Sequence, residues 1–375
     1  MRAGQTTENG VRAGRPAVER ERTSRRIRRW IVDGSFAPAS RLPAHRELAR
    51  RLDAHVFVVQ LALQQLADEG FIELRGHSGT YVAEAPPHTR RIALAFAVPW
   101  DAPGFVRFWT VLAAEARRMK AAGEADFELY SCADRAFSSA PDYRRLLEDV
   151  QKQRLAGILF ASAPGAIART AILTQSGLPR AAIMNGAGQP GVTALHMADE
   201  DQFLSRAVMH LRERGRRRLA YLGVPGSNWE AVAAKAGALG MEVRPHWVQI
   251  GNQGYPAPAA HVMRLLARLP HDERPDCLMI TDDNLVEPAC RGLRAENLRV
   301  PEDMEIVAHC NFPAPALDVP VRWLGYDIRN LLRTTAELLL RWRAAETHPA
   351  VVQVPLEFDW EVQARPERQA RQNQN

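Results

Sequence analysis

Between residues 41 and 82 the apolar positions change their period twice. Leu48, Ala49 and Leu52 mark a short helical stripe, which Asp53-Ala54-His55 interrupts. Val59, Ala62, Leu63 and Leu66 then fall on one face of a second helix, and Gly70 stops it. Phe71-Ile72-Glu73-Leu74 reads as a strand, Gly76-His77-Ser78-Gly79 as a turn and Thr80-Tyr81-Val82 as a returning strand. Helix, turn, helix and hairpin in this order predict a winged helix-turn-helix, placed in a domain of residues 17–83. A preceding helix is expected over 18–33, with Ile27, Trp30 and Ile31 on one face and Arg25, Arg26, Arg28 and Arg29 around it. Residues 1–16 are expected to be a disordered tail. Residues 84–91 read as a linker stiffened by Pro86-Pro87.

From Ile92 the pattern becomes one of strands alternating with helices. Apolar strands are expected at 92–98, 127–130, 157–160, 181–184, 219–222, 277–280 and 305–308. Helices are expected at 105–121, 143–153, 203–214, 259–269, 285–296 and 330–344. Such alternation predicts an α/β domain over 92–365, with parallel sheets covered by helices on both faces. Residues 366–375 are expected to be a second disordered tail.

The first segment resembles the DNA-binding domain of GntR-type bacterial repressors. The resemblance rests on Leu42-Pro43, Arg46-Glu47-Leu48-Ala49, Ala62-Leu63, Leu66, Glu69-Gly70 and Gly79-Thr80-Tyr81-Val82. It implies a winged helix-turn-helix that reads a double-stranded operator as a homodimer. Arg46 then contacts DNA, as do the recognition-helix residues His55, Val56, Phe57, Gln60 and Gln64 and the wing tip His77-Ser78-Gly79. One departure is plain: the family opens this helix with a polar Ser-Arg-Thr-Thr run, and this chain has His55, Val56, Phe57 and Val58. With Val59, Ala62, Leu63 and Leu66 buried, Phe57, Gln60, Leu61 and Gln64 face outward. Apolar contact with thymine methyls and bidentate Gln–adenine pairing are one use of such a face. Packing on a neighbouring subunit is the other.

The second segment resembles the effector domain of LacI/GalR-type repressors, built like periplasmic sugar-binding proteins. Its best pieces are Pro275-Asp276, Asp282-Asp283, Gly292-Leu293 and Val300-Pro301-Glu302-Asp303. A GntR-type head on such a body is the arabinose-repressor-like arrangement. It implies two lobes, with crossovers near 190–196, 315–325 and 345–352, and a small-molecule effector in the cleft between them. Ligands of such folds sit outside the carboxyl ends of the strands. Asp283 is the residue that best matches a family sugar contact, and Asn185 stands where members often carry Asp. Trp100, Phe105 and Phe108 offer rings for stacking on a sugar face. Phe105 and Phe108 are equally at home in the core. The family's Arg-x-x-Gly-Phe stretch is missing after residue 222, where Gly226-Ser227-Asn228-Trp229-Glu230 stands instead. Either Asn228 and Trp229 serve a different ligand or effector binding has been altered or lost.

Composition narrows the function classes. The first 91 residues carry 16 arginines against 10 Asp and Glu, so the chain's whole formal charge of +6 lies on the DNA-binding end, as phosphate neutralisation requires. The basic run from Arg212 to Arg218 is read as a solvated face at a helix C-terminus. Cys132, Cys277, Cys290 and Cys310 form no metal-ligand spacing, which fits buried thiols in a reducing cytoplasm with no metal. No apolar run reaches membrane-spanning length. Gly186-Ala-Gly188-Gln-Pro-Gly191 fits GxGxxG but precedes no helix, so no cofactor is expected. No catalytic motif appears, which points away from an enzyme. The expected function is a ligand-responsive transcription regulator, most simply a repressor. A ligand-insensitive DNA-binding protein and a sugar-processing α/β enzyme with an added winged helix are the alternatives.

Overall fold

The computed structural model describes residues 14–102, 106–185, 189–197, 200–342 and 349–372. The head contains α1 (Gly14–Val32), α2 (His45–Leu52), α3 (Val56–Asp68), β1 (Ile72–Leu74) and β2 (Thr80–Val82). α2 ends where Asp53 turns left-handed at φ 50°, a region that short polar side chains enter at modest cost. β1 and β2 pair antiparallel with Glu73 opposite Tyr81. Ile27, Leu48, Val59, Leu63, Leu66, Phe71 and Val82 close the core beneath them. Arg28 departs from the expected basic face. It is 1% exposed and pairs directly with Glu69.

The body holds two sheets. The first contains β3 (Arg91–Ala95), β4 (Asp126–Tyr130), β5 (Gly157–Phe160), β6 (Arg180–Ile183), β7 (Thr193–Met197) and β13 (Val351–Val354), in the order β13-β7-β6-β5-β3-β4. The second contains β8 (Leu219–Gly223), β9 (Val248–Ile250), β10 (Cys277–Ile280), β11 (Glu305–Phe312), β12 (Arg322–Asp327) and β14 (Glu357–Phe358), in the order β14-β12-β11-β10-β8-β9. Every pairing in the body is parallel except β12 with β14. Strands such as Gly157–Phe160 and Leu219–Gly223 are buried along their whole length, as strands covered on both faces must be.

Helices α5 (Arg107–Ala121), α6 (Pro141–Gln151) and α7 (Ala171–Thr174) belong to the first lobe. α8 (Glu200–Glu213), α9 (Trp229–Ala238), α10 (Pro258–Ala267) and α11 (Asp283–Ala295) cover the second. α12 (Ile328–Trp342) returns to pack on α5 and β5, and α13 (Asp359–Gln372) closes the chain beside β12. The backbone passes between lobes after Met197, at Asp327–Ile328 and between Val354 and Glu357, each a few residues beyond the expected crossover.

Three boundaries differ from expectation. α1 begins at Gly14, inside the expected tail, whose residues 1–13 lie outside the described ones. The expected linker contains a short helix, α4 (Pro87–Arg90), because Pro87 and His88 are buried. α13 runs to Gln372 through the second expected tail. Arg365 anchors it to Asp327 and Glu357. Strands β9 and β14, of three and two residues, are too short to leave a periodic signal.

α10 and α11 approach closely at one glycine. A Cβ on Gly292 would lie 2.2 Å from the Ala260 carbonyl oxygen. Helix propensity alone favours Ala over Gly by about 1 kcal/mol, but a backbone carbonyl cannot rotate away. Gly292→Ala is therefore expected to destabilise the protein by about 1–3 kcal/mol through overpacking. Urea denaturation checks this: the midpoint falls while the slope stays constant. An unchanged or raised midpoint contradicts it.

Candidate functional site

The reading surface of the head is built on α3. His55 precedes the helix, and its Nδ1 accepts the Phe57 N–H at 3.2 Å, satisfying one of the free donors of the first turn. Val58, Val59, Ala62, Leu63 and Leu66 are buried against the head core. That leaves His55, Val56, Phe57, Gln60 and Gln64 exposed, with Phe57 at 59%. Gln64 donates to Asp68 at 3.0 Å, so it must break that bond to reach a base. Arg46 is exposed in the first turn of α2. His77 and Ser78 stand out at the wing tip, and Gly79 holds φ +103°, where a Cβ would strike the Arg41 guanidinium. Arg41 through His45 and Gly79-Thr80 line a groove between wing and α2. Every residue expected to touch DNA thus lies on the outer surface of α2, α3 and the wing.

The second candidate site lies at the carboxyl edge of the second sheet. A cavity of about 390 Å³ is lined by Glu200 and Phe203 of α8, the 224–227 turn after β8, Thr281 after β10, His309 of β11 and Tyr326 of β12. The His309 ring lies 5.9 Å from Phe203 and 5.6 Å from Tyr326. Burial pulls its imidazole below the usual value, against the pull of Asp283. A neutral ring there offers one donor and one acceptor.

Asp283 sits behind His309 and is not part of the cavity wall. Its Oδ2 accepts the Asn311 Nδ2–H at 2.8 Å and faces Arg107 Nε at 3.6 Å. Burial raises its carboxyl above the ordinary range, with His309 and the Asn311 hydrogen bond opposing. Arg107 opens α5 in the first lobe, and its own N–H meets Asn284 Oδ1 at 3.4 Å. The two lobes are therefore joined across the cleft by Arg107.

The remaining expected ligand residues are dispersed. Trp100 packs on Phe96 at 5.3 Å beneath the Arg117 guanidinium. Phe108 is half-buried against the core, and Phe105 lies outside the described residues. Asn185 is exposed after β6. Asn228 caps α9 through Ala231, its N–H donating to Glu200 at 3.2 Å, and Trp229 packs on the core. Trp100, Phe108 and Trp229 are thus engaged in packing and Asn228 in capping. Sequence reading missed Arg107, Glu200, Ser227, His309 and Asn311. The two-residue spacing of His309 and Asn311 in the mostly apolar end of β11 was the available signal. The basic run is only partly a solvated face: Arg214 is 58% exposed while reaching Glu305 at 3.2 Å, and Arg216, 18% exposed, is drawn in to hold the same buried carboxylate at 3.1 Å. Among the described residues no helix is long and apolar enough to cross a membrane, and no cluster could hold a metal ion.

Comparison with known proteins agrees with this division. Residues 19–82 match the family model "Bacterial regulatory proteins, gntR family", and residues 208–359 match the periplasmic binding protein-like domain. The HTH-type transcriptional regulator Rv1152 of Mycobacterium tuberculosis is 31% identical over 85 residues, 23% of this chain and 69% of that protein. The chain belongs to the GntR family of bacterial transcription regulators. This GntR regulator is also 38% identical over 61 residues to the regulator TauR of Rhodobacter capsulatus, spanning only 13% of that protein. It is 30% identical over 148 residues to CelR of Thermobifida fusca, 35% of this chain and 43% of that one. Its body shares its fold with a LacI-family regulatory protein from Chloroflexus aggregans (TM-score 0.52, 16% identity, 72% of this chain and 96% of that one). It shares it also with one from Arthrobacter sp. FB24 in complex with lactose (TM-score 0.51, 16% identity, 72% and 97%). A DNA-binding head is thus joined to a periplasmic-binding-protein-like body.

The exposed Phe57 ring separates two uses of this head. If it meets thymine methyls, Phe57→Ala is expected to reduce discrimination at a T-containing position by about 1–3 kcal/mol while non-specific binding holds. Operator selection from random sequence with both proteins measures this. Unchanged base preference with lost dimerisation assigns Phe57 to a subunit contact instead.

Proposed function

We propose that this GntR regulator is a repressor. It binds a two-fold-related operator as a homodimer, and a small polyhydroxylated ligand, a sugar or sugar derivative, sets its operator affinity. One winged helix touches too few base pairs for specific affinity, which supports a dimer. The observation that carries the ligand is the cavity at the carboxyl edge of the second sheet. Glu200, Ser227, Thr281 and His309 offer donors and acceptors there, and Phe203 and Tyr326 offer ring faces. That mixture suits a molecule with hydroxyls on its edge and C–H bonds on its faces. A ligand bound there shifts the lobes only by its differential affinity for the closed arrangement, commonly about 1–3 kcal/mol.

A second reading has its own support. Arg107 already joins the lobes through Asp283, so closure without any ligand would give a ligand-insensitive DNA-binding protein.

Gel shifts on the upstream region of its own gene, with and without a panel of mono- and oligosaccharides, separate the two readings. A sugar that both changes operator affinity and raises the melting temperature supports the first. Sound DNA binding with no response to any sugar supports the second. With a responsive sugar in hand, Ser227→Ala/Thr281→Val is expected to weaken its binding by about 1–3 kcal/mol, two hydrogen bonds' worth, with ligand-free operator affinity unchanged. Arg46→Ala is expected to weaken operator binding by about 1–3 kcal/mol at physiological salt. Unchanged affinity removes Arg46 from the interface.

A further inference from the structure

The head and the first lobe meet around one carboxylate. Glu69 caps α3, and its side chain is 7% exposed. Within the head it pairs with Arg28 and accepts from Gln65 at 3.1 Å. From the first lobe, Arg154 Nη2 donates to it at 2.8 Å and Lys152 Nζ lies at 3.7 Å. Arg154 Nη1 donates to Asp149 at 2.9 Å. Asp149 in turn accepts the Tyr130 hydroxyl at 2.6 Å, and Tyr130 is fully buried in β4. An unbroken chain of hydrogen bonds therefore runs from α1 into the first sheet.

Two further contacts act in parallel. The segment between the units is packed, with the His88 ring stacked on Phe71 of the head at 5.7 Å and 12°. Arg90 donates to the Ala85 carbonyl at 3.0 Å and pairs with Asp126 of β4. A connection that buries its own side chains against the head does not act as a free tether.

We infer that the surface at the C-terminus of α6, around Lys152 and Arg154, is a docking site for this chain's own head, and that head and first lobe move as one rigid body. Undocking would break the Arg154 hydrogen bond and the Lys152 contact that Glu69 makes across the joint. The position of each recognition helix is thus set by the first lobe. Any motion between lobes then moves the second lobe against a fixed head–lobe unit. That last consequence rests on the proposed ligand response; the docking itself does not.

Pulsed electron paramagnetic resonance on the full chain tests this, with neither DNA nor sugar present. The four native cysteines are buried, so spin labels go on Arg50→Cys in α2 and Arg144→Cys in α6, both exposed. One narrow distance distribution is expected. Lys152→Ala/Arg154→Ala should broaden it several-fold. Since that variant also strips Asp149 of its partner, Lys152→Glu provides a second arm. It sets a like charge against Glu69 and leaves the Arg154–Asp149 bond in place, and it should broaden the distribution as well. A broad distribution in the parent protein, or a narrow one in both folded variants, overturns the inference. Neither outcome bears on whether a sugar binds, so failure here is distinct from failure of the cleft reading.

Discussion

A carboxylate taken out of water must be paired, and this molecule places such carboxylates where its parts meet. Glu69 joins head to first lobe, Asp283 joins first lobe to second, and Glu305 holds the α8 C-terminus to the second sheet. Arginine answers each of them. Its planar fork donates in several directions at once, so one side chain ties two elements together. Removing either partner strands a buried charge, which is why such joints resist piecemeal loosening.

The joints differ in their electrostatics, and the difference follows from their surroundings. Burial works against ionised Glu69, yet the Arg154 hydrogen bond and the Arg28 charge hold its carboxyl below the usual range. At Asp283 burial wins, because Arg107 is at 3.6 Å and a third of its side chain is exposed. The carboxylate at the head joint is therefore favoured as an anion, and the one at the lobe joint is not. Arg365 adds a further tie by gripping Asp327 and Glu357, which flank two of the three passages between lobes.

The surface of the head follows a separate logic. The excess of positive charge lies on the first 91 residues, while the outward face of α3 is apolar at Val56 and Phe57. Long-range attraction to phosphate and short-range contact with bases or protein are thus carried by different side chains, one set salt-sensitive and the other not.

Features that depend on neighbours along the chain can be read without the fold. The 3.6-residue stripes of α2 and α3, the Gly70 stop, the hairpin and the strand–helix alternation after residue 92 are local signals, and they were legible. So was the outward face of α3, since burial of Val59, Ala62, Leu63 and Leu66 leaves Phe57, Gln60 and Gln64 no other direction. Which charges are buried emerges only once the chain is folded. Arg28 lies among arginines expected around the apolar face of α1, but Glu69 sits 41 residues away and draws it inward. Arg154 finds Glu69 across 85 residues, and Arg107 meets Asn284 across 177. Asp283 was legible as a candidate, yet its partners Asn311 and Arg107 and the cavity in front of it arise from strands and lobes that meet only in the folded chain. An ion pair leaves no period in a sequence, because its partners share a place and not a spacing.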